Sequence, residues 1–455
     1  MHPTLQRQRG AVAIMVAISM IVVLAAVGLA IDAGLAYLVK ARLNAAVDSA
    51  ALAGARAVTT GNNQNEQIAN ARAAAKDFFD ANIPTSYLLS SPRILSTDVT
   101  FNGGQAVIDV TADAKMPVSI MQVMGFESLT PVAAAQTIRN DLDMALVIDT
   151  SGSLQSSAAT VKASSKSFLN RFNVTQDRVA LIHFASGVEA DSPINPSVRG
   201  FSRTAMNSAI DGYVFDGGTS SFEGVWEARR QLNSVSSGNR STMRVIVFFS
   251  DGAPTSFGAL PEFNNANDCK TAGALDRVLN GGGLADLAKS QQRFLSEGCK
   301  AWRSSFSFST WRTETVPAVR RLPDWYNGRS SSVREFAVVT DQPRQVTADI
   351  STAAAFERNI LRASRNLAES VAAKARSEGI YVFTLGFGAG LKAAEASDTT
   401  SNGETILKCM ANTSDAPARC QNPNQPVGMY CYAATDADLT PCFSRLASSI
   451  LRISK

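Results

Sequence analysis

The chain has 455 residues, of which 45% are apolar and 18% charged, with 30 Gly and 16 Pro. At roughly 100–200 residues per domain this allows two to four units, and the composition excludes a disordered, collagen-like or mucin-like polymer. The balance of 43 Lys and Arg against 39 Asp and Glu leaves only +4, too small and too dispersed for a nucleic-acid footprint.

Two histidines occur, His2 and His183, which argues against His-rich zinc sites and leaves one non-terminal imidazole for any triad. A mean hydropathy of 0.00 hides an uneven chain. Residues 10–31 read GAVAIMVAISMIVVLAAVGLAI, from Gly10 and Ala11 to Ile31, with no charge and Ser19 as the one polar side chain. As a helix this run is about 33 Å long, enough to cross a hydrocarbon core of about 30 Å. It is also longer than the apolar part of a cleaved signal, so a retained anchor is expected. Arg7 and Arg9 precede the run and Lys40 and Arg42 follow it, so the charge bias is slight. The even set of six cysteines, beginning at Cys269, fits an oxidising compartment. The expected topology is a cytoplasmic N-terminus (1–9), one pass through the inner (cytoplasmic) membrane (10–31), and a C-terminal part that is periplasmic or extracellular.

From Ala33 to Val58 ten of 26 residues are Ala, and no proline occurs between Pro3 and Pro84. Ala is the best helix former, so the helix should run on into a stalk (32–83), weakened at Gly61-Asn62-Asn63 and resumed from Glu66 to Phe79. From Asp98 the residues alternate on both sides of Asn102-Gly103-Gly104, a hairpin signal. A short apolar helix from Val118 to Met124 and a strand from Leu129 to Ile138 complete a small α+β spacer unit (84–140). The basic start, the apolar helix and the continuation LNAAVDSAALAGARA resemble the N-terminal region of TadG-like proteins of the Flp/Tad (tight adherence) pilus-assembly system. A prepilin would carry Glu at the fifth position after the cleavage-site Gly. Met15 stands there instead, against a processed pilin.

Asp143 to Asp149, DMALVID, is an apolar strand followed at once by Thr150-Ser151-Gly152-Ser153. A helix from Leu154 to Phe172, a strand from Arg178 to Phe184, and helices from Ser202 to Ala209 and Phe222 to Leu232 follow. Between the last two lies Asp216-Gly217-Gly218-Thr219-Ser220. The strand Met243 to Ser250 closes on Asp251-Gly252, a helix begins near Ala353, Gly379 to Leu385 is another apolar strand, and Asp436 to Ile453 is a closing helix. Apolar strands alternating with helices predict a doubly wound, mostly parallel α/β sheet, with ligands beyond the carboxyl ends of its strands. Asp149, Ser151, Ser153, Thr219 and Asp251 fall at such ends. They offer only hydroxyl and carboxylate oxygens, a set that favours Mg²⁺ or Mn²⁺ over Zn²⁺.

DTSGS at 149–153, GGTS at 217–220 and FSDG at 249–252 resemble the metal-ion-dependent adhesion site of von Willebrand factor type A (VWA) domains. The resemblance implies a Rossmann-like VWA domain over 141–455. It makes Ser151, Ser153 and Thr219 direct ligands, with Asp149 and Asp251 as outer carboxylates, and the ion's open position takes a partner protein's Asp or Glu. His183 lies inside an apolar strand and is expected to be a core histidine.

About a hundred residues (253–352) separate Asp251 from the next helix, far more than a usual connection. They carry Trp302, Trp311, Trp325 and Tyr326, either a partner face or the insertion's own core, and Cys269 and Cys299, whose proximity suggests a bridge. Cys409, Cys420, Cys431 and Cys442 suggest two local bridges, and sequence alone does not choose among the pairings. The expected function is a membrane-anchored VWA protein of Flp/Tad pilus assembly or adhesion, with pilus-assembly components among its partners. The alternatives are a cell-surface matrix-binding adhesin and a chelatase-type accessory subunit. No activated nucleophile with a base is visible, so no enzyme activity is expected.

Overall fold

The computed structural model describes residues 9–58, 64–102, 105–241, 243–277, 282–295, 297–330, 332–394 and 401–453. His2, the Gly61-Asn62-Asn63 break and the Gly103-Gly104 turn lie outside them. The chain divides into two units, 1–139 and 140–455.

In the first unit, α1 (Arg9–Ala57) is one continuous helix of 49 residues. Its first part is apolar on every side, and Val12, Ile14, Ile18, Ile21 and Leu24 are uncovered. This helix is long and apolar enough to cross a membrane. From Val39 onward the apolar side chains turn inward. Leu43, Val47 and Ala50 pack with Ala71, Ala75 and Phe79 of α2 (Gln64–Asn82) and with the sheet below. That sheet joins β1 (Ser91–Asn102) antiparallel to β2 (Gln105–Pro117), with β3 (Ser128–Leu129) and β4 (Val132–Asn140) also paired to β2. On β2, Ala106, Ile108, Val110, Ala112 and Ala114 alternate inward, the period-2 pattern of a half-buried strand.

The residues read as stalk and as spacer therefore share one core, because the small Ala face of α1 lets the sheet approach it closely. A Cβ on Gly54 would lie 3.1 Å from the Ile108 side chain. The apolar helix expected over Val118 to Met124 is only a 3₁₀ turn, Met121–Met124. The buried Asp32 carboxylate accepts the backbone N–H groups of Ser119, Ile120 and Met121 at 3.1, 3.0 and 2.9 Å, tying the start of that turn to α1. Such side-chain capping satisfies donors that the short turn leaves unpaired.

The second unit runs through β5 (Leu142–Asp149), α3 (Ala158–Leu169), β6 (Arg178–Phe184), β7 (Val188–Ser192), α4 (Arg203–Asp211), α5 (Ser221–Ser234) and β8 (Met243–Ser250). An irregular stretch follows with β9 (Ser256–Ala259), β10 (Glu262–Phe263), β11 (Gly273–Asp276), β12 (Trp302–Ser307), β13 (Arg312–Pro317) and β14 (Val319–Arg321). It ends with α6 (Ala353–Ser377), β15 (Tyr381–Phe387), α7 (Gly403–Ala411), β16 (Tyr430–Ala433) and α8 (Asp436–Ile453).

The main sheet has the order β16-β15-β8-β5-β6-β7, parallel throughout except for the antiparallel edge strand β7. It is the expected doubly wound, mostly parallel sheet. On β5, Ala145 and Val147 face a layer built from α5, α6 and the insertion, while Met144, Leu146 and Ile148 face α3, α4 and α8. Burial on both faces explains why the central strands are apolar without alternation. The insertion adds Phe257, Trp302, Val319, Leu322, Tyr326 and Phe336 to the α5/α6 layer rather than forming a core of its own.

At the starting ends of the strands, Arg178 donates from Nη1 to Asp143 Oδ1 at 3.1 Å with both side chains fully buried. Asp143 also accepts the Ser241 backbone N–H at 2.8 Å. The expected helix Leu154 to Phe172 instead begins with a 3₁₀ stretch, Gly152–Ser157, before α3.

Candidate metal centre

Because β6 lies on one side of β5 and β8 on the other, the loops leaving β5 run against those of both neighbours. This is the topological switch point at which ligands of open α/β sheets bind. Asp149 is the last residue of β5. Its Oδ1 accepts the backbone N–H of Ser151 at 2.8 Å and its Oδ2 accepts the Ser250 hydroxyl at 2.6 Å, so β5 and β8 are bridged just below the loops. The Ser151 and Ser153 hydroxyls lie 3.2 Å apart, and Ser153 donates to Asp251 Oδ1 at 3.0 Å.

The third loop reaches the same place by backbone contacts. Gly152 donates to the Gly217 carbonyl at 3.2 Å, and Asp216 donates to the Thr150 carbonyl at 3.0 Å. Gly217 has φ +87, and a Cβ there would lie 2.5 Å from Ser186 Oγ, so the position requires glycine twice over. Thr219, next but one, is fixed by its N–H donating to Thr255 Oγ1 and its carbonyl accepting the Thr255 N–H, both at 3.0 Å.

Asp149 is buried, and burial together with the facing Asp251 carboxylate pushes it up from the usual carboxylate range to about 7. Burial likewise pushes Asp251 up, to about 6. Two mutually repelling carboxylates, one buried and one half-buried, set among the Ser151, Ser153 and Ser250 hydroxyls, suit a hard divalent cation. The donor set thus fits an ion such as Mg²⁺ or Mn²⁺. Sequence reasoning passed over Ser250 as a contributor, although it sits inside the FSDG motif and fixes the orientation of Asp149.

His183 is buried, as expected, but its partners come from elsewhere. Nδ1 is 2.8 Å from Asp191 Oδ2 on β7, Nε2 is 2.7 Å from Ser290 Oγ of the insertion, and the ring stacks on Tyr213 at 4.2 Å. Ser290 is itself buried, so this Ser-His-Asp chain fastens the insertion to the sheet edge and meets solvent only at its Asp191 end.

The four aromatic residues of the candidate partner face do not come together. Trp302 and Tyr326 are 2% and 6% exposed and belong to the core, whereas Trp311 and Trp325 are 77% and 39% exposed. The cysteines form Cys269–Cys299, Cys409–Cys420 and Cys431–Cys442. Cys409, Cys420 and Glu369 lie close enough to suggest a metal cluster, but both sulfurs are consumed in their disulfide.

The family model for the von Willebrand factor type A domain matches residues 143–275, and that for Flp pilus-assembly TadE/G-like proteins matches residues 10–57. The chain carries a TadE/G-like N-terminal region and a VWA domain. VWA domains with this kind of site bind a divalent metal and protein ligands, and proteins of the two families are generally not enzymes.

Among solved structures, the chain is similar to the pilus adhesin SpaC from Lactobacillus rhamnosus GG. Identity is 16% over 80% of this chain and 35% of that chain, with a TM-score of 0.38, so the chain spans about a third of SpaC. It is also similar to the vWF domain of the type V pili tip protein Mfa5 from Porphyromonas gingivalis, at 14% identity over 70% of this chain and 98% of that chain, with a TM-score of 0.38. A third is proximal thread matrix protein 1 from the mussel byssus with a zinc-occupied MIDAS motif, at 14% identity over 70% and 46% of the two chains and a TM-score of 0.30. No curated protein matches the chain by sequence.

Proposed function

We propose that this protein is a single-pass, membrane-anchored component of Flp/Tad pilus assembly or adhesion whose VWA domain, residues 141–455 with an insertion at 253–352, binds a partner protein's Asp or Glu. The observation that carries the reading is the meeting of Asp149, Ser151, Ser153 and Asp251 in one connected set of oxygens at the switch point of the sheet. Ser151, Ser153 and Thr219 would hold Mg²⁺ or Mn²⁺ directly, and Asp149 and Asp251 would hold it from outside. The bound ion supplies an electrophilic position for an incoming carboxylate. Neutral hydroxyls as inner donors leave that electrophilicity undiminished. Ser250 and the Ser151 N–H keep Asp149 oriented, and the Thr219–Thr255 pairing keeps the third loop in place. Three disulfides support a VWA domain on the non-cytoplasmic side, with the N-terminus in the cytoplasm.

The test is a thermal-shift titration of the purified full chain with MgCl₂, together with pilus assembly in cells carrying Asp149→Ala. Saturable stabilisation by Mg²⁺ that Asp149→Ala abolishes, with loss of pilus assembly, is the expected result. Absence of a Mg²⁺ shift, or intact assembly in the variant, overturns the proposal.

A further inference from the structure

The insertion sends out one feature that the metal centre does not use. β12 and β13 pair only with each other, in register from Trp302↔Pro317 to Ser307↔Arg312. The base of this ribbon is held in the core, where the Trp302 ring meets Phe356 at 4.7 Å. Beyond the base, Arg303 to Phe306 and Arg312 to Thr315 are exposed on both faces of the ribbon. Its far end carries three rings: Phe306 is 52% exposed, and Phe308 and Trp311 are each 77% exposed.

These rings pack edge-on against one another, with centroids 5.3, 6.3 and 6.4 Å apart. Trp311 holds its place at φ +50, a region that bulky residues rarely adopt and that costs backbone energy. A two-stranded ribbon is marginal in water by itself, and a cluster of uncovered rings at its end is a candidate contact surface.

The composition around the rings indicates what does. Ser307, Ser309 and Thr310 add hydroxyls, and Arg303 and Arg312 add guanidinium groups with no ion pair among the described residues. The one acid of the ribbon, Glu314, stands across from Ser305 and reaches forward to accept the Thr310 hydroxyl of the turn at 3.3 Å, so the two guanidinium groups outweigh a single carboxylate there. Aromatic rings, hydroxyls and arginine together make up the chemistry that settles at a lipid headgroup layer, with rings at the headgroup–acyl boundary and cations at the phosphates. A narrow convex tip also suits a fluid surface that closes round it, whereas a second copy of the same convex tip offers it no groove. The N-terminal helix is long and apolar enough to cross a membrane, so a bilayer is a surface this chain already meets.

We propose that the Phe306/Phe308/Trp311 tip is a second membrane contact, inserting into the headgroup layer of the anionic phospholipid bilayer that anchors α1. The inference stands apart from the metal centre and does not depend on it.

All four tryptophans, Trp226, Trp302, Trp311 and Trp325, lie in the distal unit, so quenching from within the bilayer reports on that unit alone. The full chain is reconstituted into phosphatidylethanolamine–phosphatidylglycerol vesicles with and without brominated acyl chains. Bromines are expected to quench tryptophan emission. Trp311→Phe should remove at least half of the quenched amplitude. The double variant Phe306→Ser/Phe308→Ser should reduce it about twofold with an unchanged melting curve, and phosphatidylcholine in place of phosphatidylglycerol should weaken it. Emission indifferent to bromine, or an amplitude untouched by Trp311→Phe, overturns the proposal. So does quenching seen only when the brominated lipid is in separately added vesicles. In cells, a photo-cross-linking amino acid replacing Trp311 should yield a lipid adduct, and a protein adduct in its place assigns the tip to a protein partner and also overturns it.

Discussion

Asp149→Asn should stabilise the metal-free protein, the reverse of what removing a hydrogen-bonded buried side chain usually does. Asp149 is buried and raised from 3.8 to about 7. Holding it ionised at pH 8 therefore costs roughly 4 kcal/mol, at about 1.36 kcal/mol per unit. Asparagine abolishes that cost and keeps the Ser151 N–H bond to its carbonyl oxygen, while the Ser250 hydroxyl must turn to accept from the new amide. Allowing about 1–2 kcal/mol for that exchange, the variant should be more stable by about 2 kcal/mol in chelator at pH 8. The advantage depends on pH with a defined sign. A carboxyl raised in the folded state binds its proton there more tightly than in the unfolded chain. Wild-type stability therefore falls as pH rises from about 4 to about 7, and the variant loses the share of this slope that Asp149 contributes while keeping that of Asp251.

Mg²⁺ should reverse the ranking. A ligand at a hundred times its dissociation constant adds about 2.7 kcal/mol to the form that binds it, and the variant forfeits most of this gain. Urea titration of the full chain followed by tryptophan emission measures the distal unit selectively, since no tryptophan precedes Trp226. A variant less stable than wild type by 1 kcal/mol or more in chelator would refute the reasoning, because Asp149 would then be an ordinary structural acceptor.

Four further outcomes are expected. Half-saturation of the Mg²⁺-induced stabilisation should need more Mg²⁺ at pH 5.5 than at pH 8, because the ion must displace protons from Asp149 and Asp251; a titration at the two pH values measures this. Replacing Cys269 and Cys299 together by Ser opens a bridge spanning 30 residues, for a loss of about 3–4 kcal/mol in the same urea assay. Arg178→Met removes the closer of the two guanidinium partners of buried Asp143, leaving the looser Arg199 contact and the Ser241 hydrogen bonds, and should cost about 3 kcal/mol, whereas the double change with Asp143→Leu should recover part of the loss. Asp32→Ala strands three backbone N–H groups and should increase hydrogen exchange at Ser119, Ile120 and Met121 by at least tenfold, read by mass spectrometry of the full chain in detergent.

Much of the sheet was legible because its signals are local. The β6 and β8 runs and the α8 helix could be delimited from hydrophobicity and flanking turn residues alone. Short elements were not. β7, α7 and β16 are edge or connecting pieces of four to nine residues, too brief for a periodic signal, and β16 exists because β15 offers it a parallel edge. The helix expected from Leu154 is preceded and begun by a 3₁₀ stretch, Gly152–Ser157, where the chain is drawn across the strand ends by the Gly152–Gly217 contact.

By itself the sequence determined the chemistry of this protein: an uncharged 22-residue span, three oxygen-bearing motifs of four or five residues, and the even cysteine set. Each follows from residues adjacent in the chain. The tertiary structure decided what those residues meet. Strand order placed β6 and β8 on either side of β5 and so set Asp251 and Ser153 within hydrogen-bond reach across nearly a hundred residues. It also folded Trp302 and Tyr326 into the core while leaving Trp311 at the end of a ribbon, three aromatics that composition treats alike. Burial and long-range proximity are properties of the packed chain, and a pattern of side chains along one strand or helix carries no information about which distant segment will cover it.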